Sequence, residues 1–302
     1  MPELSEFITF IAERSGVEKT KLIEQDIVIH GILKRVYAST YFSENYVLKG
    51  GSCLVKCYFG YYRFSVDLDF TWRNKENWKV GVKELRRRLH EQIRTLSQLL
   101  EEIAEQTGLE FVNDPKNRKY FEFSGGGRMV TFKLWKGQEL VKIQVNFLEE
   151  LLFQPKTIIV KTLLDNTLIS ERDRVYFEEF LSTYRPFEVN AYDEREILCE
   201  KVRAILTRRA QKLRDFYDIF MLNERGYRIE RFTEEIKRKI RSSLYYRRYR
   251  NNLEANKKTI EYSREVLEDP FERGLFVVDP PRNFDRFLEE ILNLLKEIAR
   301  AI

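Results

Sequence analysis

The run Val47-Leu48-Lys49-Gly50-Gly51-Ser52, followed after fourteen residues by Asp67-Leu68-Asp69-Phe70, constrains this chain more than any other feature. Val47 and Leu48 read as the end of a buried strand, and the apolar positions from Cys53 to Phe59 fit a short helix, so the glycines fall at a strand-to-helix turn. Such a turn presents backbone N–H groups to an anion, as phosphate loops do. Residues two apart on a strand share a face, so in Ser65-Val66-Asp67-Leu68-Asp69-Phe70-Thr71 the two aspartates point one way while Leu68 and Phe70 face a core. Hard oxygen ligands roughly 7 Å apart along a strand can share one Mg²⁺ or bracket two. Asp67 and Asp69 are therefore candidate catalytic residues and metal ligands, with Mg²⁺ or Mn²⁺ as the cofactor.

The order and spacing of these parts resemble the nucleotidyltransferase superfamily, whose signature is Gly-Ser followed about a dozen residues later by Asp-x-Asp. The fuller string, Leu48-Lys49-Gly50-Gly51-Ser52 with Tyr62-Arg63-Phe64-Ser65-Val66-Asp67-Leu68-Asp69-Phe70, is similar to the AbiEii toxin family, although most members carry an acid or small polar residue where this chain has Val66. The resemblance implies nucleotide contacts from Gly50, Gly51, Ser52, Arg63 and Ser65. Two later segments, Glu200-Lys201-Val202-Arg203 and Arg214-Asp215-Phe216-Tyr217-Asp218, match further family motifs. They imply Lys201 on the triphosphate and Asp215 as a third acid, with Asp218 as the alternative.

A third acid is wanted to complete ligation or to activate the attacking hydroxyl, and in the superfamily it often lies on a later strand. Here that strand is Leu140 to Phe147, and Gln144 occupies the aligned position; neither it nor Asn146 accepts a proton as a carboxylate does. Lys201 and Asp215 on one straight helix would lie about 21 Å apart at 1.5 Å per residue. Their joint service therefore requires a break, expected in the polar interval Arg208-Arg209-Ala210-Gln211-Lys212.

The rest of the chain reads as an α+β protein: a nucleotidyltransferase-like mixed sheet flanked by helices over 1–190, then a helical domain over 191–302 that contributes to the active site and to acceptor binding. Residues 2–40 form two helices and 76–107 a long amphipathic one. Leu109 to Phe147 alternate as strands, with a hairpin turn at Ser124-Gly125-Gly126-Gly127-Arg128. The only histidines, His30 and His90, have no adjacent ligand set, which excludes histidine triads and multi-histidine metal sites. Three cysteines without a Cys-x-x-Cys pair read as reduced core thiols.

The net charge of +5 is slight, and its distribution matters more. Between Lys237 and Arg250 stand seven cations and no acid, interleaved with Tyr245, Tyr246 and Tyr249. Phosphate contacts and base stacking need these residue types, so Arg247, Arg248, Arg250 and Tyr246 are candidate RNA contacts; a solvated basic helix with its tyrosines packed inward fits equally. No apolar run is long enough for a membrane span, which places the chain in the cytoplasm. By resemblance the chain is a toxin that transfers NMP from an NTP to an RNA acceptor, a tRNA end being the known substrate class. Its antitoxin is then a repressor-type protein encoded by a neighbouring gene. The competing reading, motivated by Gln144, is a non-catalytic nucleotide- or RNA-binding module.

Overall fold

The computed structural model describes residues 2–259 and 264–302, and the chain divides into two compact units, Met1–Leu148 with Lys156–Ala191, and Glu149–Pro155 with Tyr192–Ile302. Among the described residues no helix is long and apolar enough to cross a membrane.

The first unit opens with α1 (Leu4–Ser15), where Glu3 and Glu6 form a capping box, and α2 (Thr20–Ala38). A short α3 (Thr40–Asn45) leads into β1 (Tyr46–Lys49), which is buried throughout. At Gly50 the chain turns directly into α4 (Gly50–Cys53), continued by a π-helical turn over Leu54–Phe59. The sequence pattern anticipates a helix here but not its wider winding, in which Gly60 N–H reaches back to Val55 O at 2.9 Å. β2 (Asp67–Trp72) follows, and then α5 (Val82–Thr107). That helix starts later than the periodicity indicates, because Lys75–Trp78 form a separate 3₁₀ turn and Gly81 is the N-cap. Next come β3 (Phe121–Ser124), β4 (Met129–Lys136), β5 (Glu139–Asn146) and, after an excursion into the second unit, β6 (Lys156–Val160). Gly125, Gly126 and Gly127 all have positive φ and form the hairpin turn between β3 and β4, a conformation closed to most side chains. α6 (Glu171–Tyr176), α7 (Glu178–Thr183) and β7 (Phe187–Ala191) complete the unit.

The strands form one mixed sheet in the order β3-β4-β5-β2-β1-β7-β6. β2 is central, antiparallel to β1 and parallel to β5. α2 packs on β2 and α5 on β4, so Leu68 and Phe70, both fully buried, lie on the helix-covered side with Phe42, whose ring meets Phe70 edge-on at 4.9 Å. The opposite residues of β2, Asp67 and Asp69, remain partly open to solvent.

The second unit is helical. Its centre is α8 (Glu194–Thr207), against which pack α9 (Leu213–Glu224), α10 (Thr233–Ser243) and α11 (Arg247–Thr259). Two short helices, α12 (Arg264–Leu267) and α13 (Pro270–Gly274), precede α14 (Asn283–Arg300). Every residue of α8 except Arg195 is buried, including Glu196, Glu200, Lys201 and Arg203. Such a helix cannot leave its charges unpaired. Glu196 accepts Lys239 Nζ at 2.6 Å and the N–H groups of Leu152 and Phe153 at 2.7 and 2.9 Å, which ties the 149–155 excursion to α8 and α10.

Candidate active site

In the first unit the phosphate-type turn and the carboxylate strand meet at the backbone. Gly50 has φ +71°, and a Cβ placed there would fall 2.5 Å from Asp69 Oδ2, so only glycine lets the turn lie against that carboxylate. A Cβ on Gly51 would fall 2.7 Å from an Arg63 guanidinium nitrogen and 2.9 Å from Ser65 Oγ. Arg63 and Ser65 therefore pack on the turn. Arg63 is only 1% exposed and donates to the Phe64 carbonyl at 2.8 Å, so its guanidinium is part of the turn's support. Ser52 is also fully buried, and its hydroxyl donates to the Asp67 carbonyl at 2.5 Å. In this structure the Ser52 side chain pins the turn to β2.

Strand register completes the face. Asp69 stands opposite Lys49 of β1 on one side and Gln144 of β5 on the other, while Asp67 stands opposite Lys142. Directly paired residues project to the same side of a sheet, so Lys49, Asp69 and Gln144 form one row. Lys49 escaped the sequence reading because only strand pairing brings it beside Asp69. Gln144 donates to Met129 Sδ at 3.4 Å. Among the described residues no group of three or more His, Cys, Asp or Glu side chains is gathered as a metal site, so within this unit the two aspartates have no third acid. As a pair they fit a divalent ion nonetheless: two hard oxygen donors on one strand face, with the backbone of Gly50 packed closely against Asp69. Mg²⁺ is commonly held by one or two carboxylates with water and substrate phosphate completing its shell.

In the second unit Lys201 and Asp215 are brought together. α8 ends at Thr207 and α9 begins at Leu213, and across this break Lys201 Nζ lies 2.7 Å from Asp215 Oδ1 and 2.6 Å from Asp218 Oδ2. Arg208 also pairs with Asp215. No glycine or proline makes the break; side-chain amides of α11 do. Asn252 donates to Thr207 O at 2.9 Å, and Asn256 donates to Leu206 O at 2.8 Å and Arg208 O at 2.9 Å, satisfying the carbonyls that a helix C-terminus leaves open. Burial pushes the Asp215 carboxyl up, but Lys201 and Arg208 together outweigh it and hold the group well below the usual carboxylate range. Asp215 is thus a permanent anion here, suited to accepting hydrogen bonds or to ligation and poorly suited to taking up a proton.

The basic segment splits on folding. Lys239 is 1% exposed and held in the interior of the unit by Glu196 and Glu149, while Arg238 pairs with Glu150 at the surface. Arg247, Arg248 and Arg250 stay exposed in the first turn of α11, and Tyr246 is half-buried. Three cations at a helix N-terminus oppose the macrodipole, at a cost of roughly 0.3–1 kcal/mol each.

A strand-to-helix glycine turn seated on a paired-carboxylate strand, in a mixed sheet with helices on it, defines a nucleotidyltransferase-type domain. The family model described as "Nucleotidyl transferase AbiEii toxin, Type IV TA system" matches residues 31–301, and the chain belongs to that family. It is the toxin family of a type IV toxin–antitoxin system, which implies an antitoxin partner. No curated protein matches the chain.

Proposed function

We propose that this chain transfers a nucleotidyl group from an NTP to a hydroxyl of an RNA acceptor, in the first instance a tRNA end, with Mg²⁺ or Mn²⁺ as cofactor. The observation that carries the reading is the seating of Gly50 on Asp69, which leaves two carboxylates facing outward beside a turn able to approach phosphate closely. In the reaction the acceptor oxygen bonds to the α-phosphorus, the bond to the departing pyrophosphate breaks, and the acceptor proton leaves to solvent or to a base. Asp67 and Asp69 are the residues that would hold the divalent ion, which when bound neutralises developing phosphate charge. The Gly50 and Gly51 backbone meets the triphosphate, supported from beneath by Arg63, Ser65 and Ser52. Lys49, in register with Asp69, adds a cation to the same strand row. Lys201 serves as a phosphate contact and Asp215 as a hydrogen-bond acceptor or ligand, roles that exchange their mutual ion pair for contacts to substrate. In the cell the activity arrests growth, and a repressor-type antitoxin from a neighbouring gene opposes it.

Gln144 beside Asp69 favours the second reading, a binding module without turnover, because an amide cannot take a proton there. Incubation with each labelled NTP and total RNA, with and without Mg²⁺, separates the two. Metal-dependent label on RNA supports the enzyme; nucleotide binding with no label on any RNA supports the module.

A further inference from the structure

The corner between α10 and α11 holds an aromatic stack whose outermost ring faces solvent. Tyr245 is 45% exposed, and its ring centroid lies 4.0 Å from that of Tyr246. Tyr246 meets Tyr249 edge-on at 5.4 Å. Tyr249 in turn is held by two guanidinium groups, Arg248 at 5.3 Å and Arg203 at 5.6 Å from its centroid. The exposed ring is therefore backed by two others and anchored through Arg203 to the buried helix α8.

Arg247, Arg248 and Arg250 follow this ring within five residues of the chain and are exposed, and among the described residues none of them forms an ion pair with a carboxylate. They weaken the start of their own helix, so stability does not account for their placement. Unbalanced cations next to an outward aromatic face match the alternating phosphates and bases of a nucleic-acid single strand. A duplex offers phosphates but keeps its base faces stacked inside. An acidic protein surface would engage the arginines and leave the ring without a partner.

Resting on the reading that the acceptor is RNA, we infer that Tyr245 is a stacking platform for an unpaired base of that acceptor, with Arg247, Arg248 and Arg250 on the adjoining phosphates. The platform selects single-stranded ends or loops and is indifferent to sequence, since every base has a π face.

The test is fluorescence anisotropy of the full chain with a short labelled RNA single strand and with the same strand annealed to its complement. Wild type binds the single strand more tightly than the duplex. Tyr245→Ala loses roughly tenfold in single-strand affinity and leaves the duplex unchanged, while Tyr245→Phe keeps both. Replacing Arg247, Arg248 and Arg250 with Glu weakens both and flattens the salt dependence. Unchanged single-strand affinity in Tyr245→Ala, a duplex bound as tightly as the single strand, or binding of a polyglutamate probe in place of either RNA would each overturn the platform. Label transfer from NTP to RNA is scored separately. If it persists while Tyr245→Ala is silent, the platform falls and the enzyme stands; if Tyr245 governs binding but no label is transferred, the enzyme falls and the platform stands.

Discussion

The two aspartate pairs of this molecule occupy opposite settings. Asp67 and Asp69 share one face of a strand and keep part of their surface in water, and Asp69 lies against a turn whose approach only glycine permits. Asp215 and Asp218 are buried, and they share Lys201, with Arg208 adding a second cation to the first of them. Two like charges side by side on a strand face that water reaches repel each other and attract cations, whereas the buried pair is matched by cations of its own unit. The first arrangement is the one we propose receives metal and nucleotide. The second is that of a support which can also act only by exchanging its internal partners.

The comparison is broken most decisively at the strand. Asp67→Asn or Asp69→Asn should lower transfer by about 10²–10³-fold or more, and for Asp67→Asn melting should stay at or slightly above wild type, because removing one of two like charges relieves repulsion. Turnover at the wild-type level in a labelled-NTP assay would remove the pair from the site. The converse holds in the second unit. Lys201→Met removes the cation that the two buried carboxylates share, and stability should fall by about 3–5 kcal/mol in urea unfolding; a loss under about 1 kcal/mol would mean that the cluster is not a support.

The first unit has its own balanced interior, which sharpens the contrast. Lys56 and Asp26 pair at 2.6 Å with both side chains 2% exposed, and Tyr61 and Tyr184 donate to Asp26 at 2.8 and 2.6 Å. His30 lies beside them, its Nε2 2.9 Å from the Arg185 carbonyl, and burial followed by the charge of Lys56 lowers its pKa to about 3. Its folded pKa is below the unfolded value near 6.5, so the unfolded state binds the proton first. The stability it contributes is complete above about pH 6.5 and is lost as pH falls toward 3, at up to about 1.4 kcal/mol per pH unit. His30→Phe should flatten that slope between pH 6 and 4; an unchanged slope would assign the acid sensitivity to other groups.

The smallest effect separates support from contact within the site itself. Ser52→Ala removes the hydroxyl that holds the Asp67 carbonyl and should cost about 1 kcal/mol of stability, with nucleotide Kd nearly unchanged. A weakened Kd at unchanged stability would instead show that the hydroxyl meets phosphate.

Much of the site-bearing half was legible because its signals are local. Period-two alternation marked Asp67 and Asp69 as sharing a face, and the glycine run 125–127 announced its hairpin. The expected break between Lys201 and Asp215 had a distance argument behind it but no local breaker. Asn252 and Asn256, more than forty residues downstream, supply the capping that ends α8. Nothing in the charged string around Lys201 distinguishes a solvated helix from a buried one, and the polar burial of α8 became visible only with its neighbours in place. For the same reason Lys239 read as one cation among seven and folds into a buried ion cluster.

By itself the sequence determined the chemistry available: a turn without side chains, two acids in phase on one strand, an amide where a third acid is usual, and too few histidines for other mechanisms. Those properties depend on residue identity and on spacing within a few positions, which the chain carries before it folds. Only tertiary structure decided which charges face water and which face each other, that Ser52 and Arg63 stand beneath the turn, that Lys49 and Gln144 flank Asp69, and that Tyr245 is the outward ring. Burial and strand register are set by segments distant in sequence, and a charge acquires its role from what those segments place beside it.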